Sequence, residues 1–435
     1  MITLAPRRKL LVLCHTVPYP PDGGVWLRTY NVLRLLAERF DLTMLCFERV
    51  VPRGLEASHD LSQAIQALGQ LGAVEVCRIP ELHSRPRLLW NHFRSLIRGQ
   101  VYTYYRHSSR ALQQRLRQLL ASTAFDLVHV DSLDLCGYLP YLHHLPVVCV
   151  HHNVESQLLR ARAQAERALW RRAYIGYQAR LMERAERRWC PRVALNVTVS
   201  EQDAATLARV APGGKYAVVP NGVDTSYFAR SDGASRTPQE GGLVFVGSNT
   251  WFPNSDALNY FCEEILPRIR QLAGPVPVRW VGLASDSDRA WFRDRYGVDV
   301  TGYVDDVRSY VAQARCYVVP LRVGGGTRLK ILDAWSMRAA VVSTSVGCAG
   351  LQAEHEQNIL IADTPDDFAR AVVRVLHDDA LRSRLGQNGR MLVERKYSWQ
   401  VIGRGMIDEY LLTVGNGTRH TTIDVASSVC AESAG

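Results

Sequence analysis

Short apolar runs alternate with helix-patterned segments along this chain. The alternation breaks off at a polar stretch and then begins again. In the first stretch, strands are expected at residues 9–14, 42–47, 74–79, 127–130, 147–150, 195–199 and 216–219. Helical patterns are expected at 27–39, 61–71 and 110–121, with a long one over 156–189. Residues 229–242 (ARSDGASRTPQEGG) are rich in Gly, Ser and Pro and read as a linker. Beyond it, strands are expected at 243–247, 278–281, 298–301, 316–320, 340–343 and 358–361. Helices are expected at 255–271, 287–295, 307–314, 329–337, 365–376 and 378–396. Continuous apolar strands separated by helices require a parallel sheet covered on both faces. A chain of 435 residues is too long for one ordinary core. The fold class that follows is α/β, with two Rossmann-like doubly wound units in tandem. Such sheets bind ligands at the carboxyl ends of their strands. Two of them facing one another would enclose a cleft.

One turn in the second half has the chemistry of an anion site. Gly324, Gly325 and Gly326 follow an expected strand, and Thr327, Arg328 and Lys330 lead into an expected helix. Glycines at a strand-to-helix turn let an anion reach bare backbone, and the helix N-terminus adds N–H donors and positive dipole. Arg328 brings a fork suited to phosphate and Lys330 a point charge. Lysine occurs at only four positions, Lys9, Lys215, Lys330 and Lys396. Asp333, one turn beyond Lys330, suits the hydroxyls of a ribose. The set fits a diphosphate carrying a hydroxylated group, as in a nucleotide sugar. Gly23 and Gly24 form a second glycine turn ahead of a helix. Arg28, one turn into that helix, either adds charge or pairs with Asp22.

Several segments together resemble the retaining glycosyltransferases of family 4, which have the GT-B fold. They are Pro18–Gly24 (PYPPDGG), Pro220–Asp224 (PNGVD), Phe245–Ser248 (FVGS), Gly302-Tyr303-Val304, Val341–Gly347 (VVSTSVG) and Tyr397-Ser398-Trp399. The resemblance runs to about residue 412. It is nearest to the branch associated with bacterial exopolysaccharide and envelope-glycan (PEP-CTERM/exosortase-type) systems, with its Trp-x-Pro-Asn pattern at Trp251–Asn254. The first glutamate of the family's Glu-x7-Glu motif falls on Gly325 and the second on Asp333. The resemblance implies transfer of a sugar from a nucleoside-diphosphate sugar to a glycan or polyisoprenyl-diphosphate-linked acceptor, with retention and without metal or other cofactor. It implies that Gly23, Gly24, Gly247, Asn221 and the Gly324–Thr327 turn approach the donor, with Gly222 beside them at the mouth of the cleft. Arg328 and Lys330 would stabilise the leaving diphosphate. A histidine after the strand at 147–150 would reach the donor sugar, His152 first and His151 as the alternative. The implied domains are residues 1–228 on the acceptor side and 243–398 on the donor side. A terminal helix at 399–414 would return toward the first domain, followed by a disordered tail at 415–435.

Composition limits the partners. The net charge is +10, with 47% hydrophobic and 22% charged residues, as in a soluble globular protein. No nucleic-acid-binding pattern is visible. No apolar run reaches the ~20 residues that span a bilayer. Ten scattered cysteines without C-x-x-C read as reduced, buried thiols in the cytoplasm. The cations of the glycine turn would take the place of a metal, so no metal is expected. Residues 82–125 contain no Asp or Glu but many arginines interleaved with Trp90, Phe93, Tyr102, Tyr104 and Tyr105. That mixture suits an anionic membrane surface, which places the chain peripherally on the inner face of the cytoplasmic membrane. Two other readings fit the same residues, a nucleotide-sugar 2-epimerase and an inactive membrane-associated scaffold.

Overall fold

The computed structural model describes residues 7–21, 24–50, 60–166, 168–229, 241–324 and 329–415. It divides into two compact units. One runs to Val219 and resumes at Gly403, and the other is Pro220–Ile402.

The first unit is built on seven strands, β1 (Arg8–Cys14), β2 (Phe40–Phe47), β3 (Gly72–Cys77), β4 (Leu127–Val130), β5 (Val147–Val150), β6 (Leu195–Thr198) and β7 (Tyr216–Val218). All neighbours are parallel, in the order β3-β2-β1-β4-β5-β6-β7. β1 lies at the centre, Leu10 pairing with Leu42 on one side and Leu127 on the other. Leu10 to Cys14 are all buried, which is why this run is apolar without alternation. The helices are α1 (Gly24–Ala37), α2 (Leu61–Gly69), α3 (Arg85–Arg98), α4 (Tyr102–Arg106), α5 (Arg110–Ser122), α6 (Glu155–Ala165), α7 (Leu169–Trp189) and α8 (Glu201–Val210).

The second unit has a six-stranded parallel sheet of β8 (Leu243–Val246), β9 (Val278–Val281), β10 (Asp299–Val300), β11 (Cys316–Val319), β12 (Val341–Ser343) and β13 (Leu360–Ile361), in the order β10-β9-β8-β11-β12-β13. Its helices are α9 (Phe252–Tyr260), α10 (Leu266–Ala273), α11 (Asp286–Tyr296), α12 (Arg308–Gln313), α13 (Leu329–Ser336), α14 (Pro365–His377) and α15 (Asp379–Leu392). Trp280 stacks on Phe245 at 3.7 Å in the middle of this core. The last helix, α16 (Trp399–Val414), contributes Trp399 to the second unit and Tyr410 to the first.

The two doubly wound units match the sequence reading, with differences in detail. The single helix expected at 156–189 is two, α6 and α7. Glu166 leaves the helical region and its carboxylate accepts the Ala168 N–H at 3.1 Å. The break lets α6 fold back on α7, where Arg160 pairs with Glu183 and Glu186 accepts the Ser156 N–H at 3.0 Å. Helices α3, α4 and α8 lie outside the expected patterns: α3 turns polar residues to the core and α4 is a single short turn, while α8 buries Ala204, Leu207 and Val210. Most of the expected linker, residues 230–240, lies outside the described residues, as do 416–435 of the expected tail. The contact boundary falls at Val219, ahead of the expected 228. Residues after it are tied into the second unit. The Val223 N–H donates to Tyr397 O at 2.8 Å, Arg390 donates to Thr225 O at 3.1 Å, and Arg308 donates to Tyr227 O at 2.9 Å.

Candidate functional site

In each sheet the strand order reverses beside the first strand, between β1 and β4 and between β8 and β11. At such a switch point the loops diverge and leave a crevice for a ligand. The charged and glycine-rich residues of both units collect there.

In the first unit the centre is Asp131, directly after β4 and 1% exposed. Its backbone N–H donates to Leu13 O at 2.9 Å, locking the β4 end to β1. Thr29 of α1 donates its hydroxyl to Asp131 Oδ1 at 2.9 Å. His15, directly after β1, brings Nδ1 to 3.1 Å from Oδ2. His152, just past β5, brings Nε2 to 3.4 Å from Oδ1. His129 within β4 lies 3.6 Å away on the same oxygen, and its other nitrogen is 2.8 Å from the Tyr410 hydroxyl. Burial alone would raise the Asp131 carboxyl, but His152, His129 and His15 outweigh it and hold the group well below the usual range. Burial pulls His15 down, yet its contacts with Asp131 carry the net shift upward. For His152 burial wins and the shift is downward. One carboxylate thus faces one histidine shifted upward and another shifted downward.

The structure separates the two histidine candidates. His151 points into the core, where its Nε2 meets Asn196 Oδ1 at 3.0 Å. Burial pushes it down to about 4, so it is a neutral packing residue. His152 joins the Asp131 cluster. Arg28 is 2% exposed and donates to Val219 O at 2.8 Å, and Asp22 lies outside the described residues. The ligating atoms of His15, Asp131 and His152 all lie within 4.8 Å of one another. The expectation of no metal rested on the cations of the glycine turn and did not weigh these three groups, which come from three strand ends.

In the second unit the centre is Lys330 on the first turn of α13. Its Nζ donates to Asn254 Oδ1 at 2.8 Å and lies 3.9 Å over the Phe245 ring. Asn254 of α9 also donates to Ser248 O at 2.9 Å, so it clamps the turn after β8 to the lysine. Gly247 sits in that clamp. A Cβ there would stand 2.7 Å from Asn254 Nδ2 and 2.8 Å from Lys330 Nζ, so any larger residue would push these two side chains aside. Asp333, one turn on, has an Oδ1 that is buried without a hydrogen-bond partner among the described residues. Burial, opposed by Lys330, pushes its carboxyl up to about 8. A buried carboxyl oxygen of this kind is costly unless a donor reaches it. The turn opens with Gly324 at φ 145°, a conformation that side chains resist.

Other expected site residues are placed differently. Gly24 opens α1 and is exposed, while Gly23, Gly325, Gly326, Thr327 and Arg328 lie outside the described residues. Asn221 is 7% exposed. Gly222 packs, because a Cβ on it would stand 2.4 Å from the Trp399 ring. The Pro-Asn-Gly-Val-Asp and Tyr-Ser-Trp motifs therefore interlock, and Val223 bridges Ser398. Sequence reasoning missed His15, Thr29 and Asp131. The only signal for His15 and Asp131 is position, directly after the strands that flank the switch point, and Thr29, inside α1, has none. Asn254 was legible in the Trp-x-Pro-Asn pattern, but its task of holding Lys330 was not.

Two doubly wound parallel sheets, each with its polar cluster at the switch point, define the GT-B class of glycosyltransferases. Residues 22–227 match the family model described as Glycosyltransferase Family 4, and residues 240–378 match Glycosyl transferases group 1. The chain is a glycosyltransferase of GT-B fold. Solved structures agree on the fold. Sucrose-phosphate synthase from Thermosynechococcus elongatus is 17% identical with a TM-score of 0.68, covering 93% of this chain and 98% of its own. Anabaena HepE in complex with UDP is 15% identical with a TM-score of 0.63, covering 93% and 99%. S. aureus TarM, as a mutant bound to Fondaparinux, alpha-GlcNAc-glycerol and UDP, is 11% identical with a TM-score of 0.61, covering 94% and 100%. No curated protein matches the chain in sequence. Among the described residues no helix is long and apolar enough to cross a membrane.

Proposed function

We propose that the chain moves a sugar from a nucleoside-diphosphate sugar to a glycan or polyisoprenyl-diphosphate-linked acceptor, with retention, in bacterial cell-surface polysaccharide synthesis. The observation that carries this reading is the Lys330–Asn254–Gly247 clamp, with the Asp333 oxygen, unpartnered among the described residues, one turn beyond it. Lys330 supplies a fixed cation for the diphosphate, and Asp333 accepts from the ribose hydroxyls. Arg328, in the same turn, shares the leaving charge. As the bond from the anomeric carbon to the phosphate oxygen breaks, negative charge grows on the diphosphate. Preorganised cations lower the barrier for that step. The acceptor hydroxyl bonds to the same carbon and its proton passes to the departing phosphate. His152, oriented by Asp131, contacts the transferred sugar. The reaction runs without metal, and the enzyme works in the cytoplasm, on the inner face of the membrane. The UDP complexes of HepE and TarM support including uridine donors among those tried first.

A thermal-shift panel of UDP-, GDP- and ADP-sugars tests the reading. A true donor at ~100 times its dissociation constant adds ~2.7 kcal/mol of stability. That shift should shrink in Lys330→Met and Asp333→Asn. A panel in which no sugar nucleotide stabilises the protein would refute the proposal. Retention is then read from the anomeric configuration of the product by NMR.

A further inference from the structure

Helix α3 is built inside out. It starts at a Ser84 cap with Pro86 in its first turn, and it stops at Gly99 with φ 61°. The side that faces the unit is polar. Asn91 donates to Glu81 at 2.9 Å, Gln178 donates to Ser95 at 2.8 Å, and His92 meets the Tyr174 hydroxyl at 2.6 Å. The outward side is apolar, with Leu89 68% exposed, Trp90 55%, Phe93 50% and Ile97 67%. Tyr174 and Tyr177 of α7 also hold α3, Tyr177 by donating to Leu96 O. The start of α7 adds Leu169 and Trp170, exposed by 80% and 70%. Two helix segments joined by these contacts thus display large apolar side chains, and isolated exposure does not explain such a cluster.

The exposed charge beside it is mostly positive, with Glu166 the acid next to the start of α7. Arg85, Arg87 and Arg98 on α3 and Arg171 and Arg172 on α7 are exposed. A groove of about 970 Å³ runs beside α3, lined by Arg78, His83, Arg87, Arg94 and Arg110. No Asp or Glu occurs from Leu82 to Phe125. A second copy of the chain would bring this cationic face against itself, because a two-fold contact pairs a patch with its own image. An anionic bilayer complements it. Aromatic rings sit at headgroup depth, aliphatic side chains go below them, and arginines meet the phosphates.

We propose that the outer face of α3 and the first turn of α7 form a lipid-inserting element that seats the first unit on an anionic phospholipid surface. The proposal deepens the reading of a lipid-linked acceptor and rests on it. Flotation of the full-length protein with phosphatidylglycerol/phosphatidylcholine vesicles, and with phosphatidylcholine vesicles alone, tests it. Binding is expected to the mixed vesicles only and to fall as salt is raised. Trp90→Ser/Phe93→Ser should weaken it by about tenfold or more. Arg171→Glu/Arg172→Glu, which leaves the apolar residues in place, should weaken it by a similar factor. Both variants should keep wild-type melting curves and the wild-type donor-induced thermal shift in lipid-free buffer. Wild-type protein that does not float, or floats equally with neutral vesicles, overturns the proposal. So does a Trp90→Ser/Phe93→Ser variant that floats as wild type or turns a lipid-free oligomer into a monomer. A missing donor shift with intact flotation defeats the donor reading and leaves the surface standing.

Discussion

Lys330→Met isolates the ammonium of the glycine-turn helix. Methionine preserves the length and most of the apolar stem, so the substitution deletes the charge and three donors. The folded protein loses the 2.8 Å bond to Asn254 and the contact over Phe245. Together these cost about 1–2 kcal/mol, since each is a single partly buried interaction. Thermal unfolding should fall by roughly 2–4 °C per kcal/mol for units of this size. The functional loss should be larger. Asn254 already holds the lysine in place, so its charge meets the leaving diphosphate without reorganisation. Removing one such preorganised donor costs about 10²–10³ in turnover, or 2.7–4 kcal/mol. The assay is nucleotide release against donor concentration, with the melting curve as control. Turnover should drop by that factor while the protein remains folded. If donor affinity falls with turnover unchanged, the lysine binds the ground state and the leaving-group argument fails. If neither moves, the diphosphate sits elsewhere.

Arg328→Ala should follow Lys330→Met in direction, lowering turnover more than it weakens acceptor binding in initial-rate kinetics. His152→Gln should cost about 10²-fold or more in nucleotide release, whereas His151→Gln should act on stability only, because His151 is held against Asn196 in the core. Gly222→Ala should destabilise the fold by about 1–3 kcal/mol through its clash with Trp399, read as a lower melting temperature, with the donor-induced shift unaltered. Glu186 is 1% exposed and burial pushes it up to about 7, so the folded state holds a proton that the unfolded chain has lost. Stability must then fall as pH rises from the ordinary glutamate value of 4.5 to about 7, and Glu186→Gln should flatten that slope in melts across pH. Nucleotide release should survive a chelator, and donor incubated alone should yield no epimer. Loss of activity restored by a divalent ion would instead make His15, Asp131 and His152 a metal centre.

The sequence alone determined the architecture. Unbroken apolar strands at regular spacing admit only covered parallel sheets, and the polar segment at 229–242 marked where the pattern restarts. It also exposed the glycine turn at 324–326 and the lysine beyond it, because both are local signals. Partnership was not local. Helix 156–189 read as continuous because nothing in its sequence breaks it, and the fold-back shows only in long-range contacts such as Arg160 with Glu183 and Ser156 with Glu186. Gly222 reads in sequence as a neighbour of the donor, and only the fold lays the distant Trp399 ring against it. Helix α3 was missed because its stripe faces away from the core, where periodicity lends no support. His15, Asp131 and His152 lie far apart in the chain and meet because crossovers set β1, β4 and β5 side by side. Strand order is decided by which helices cover which face, a long-range packing outcome that no window of neighbouring residues encodes.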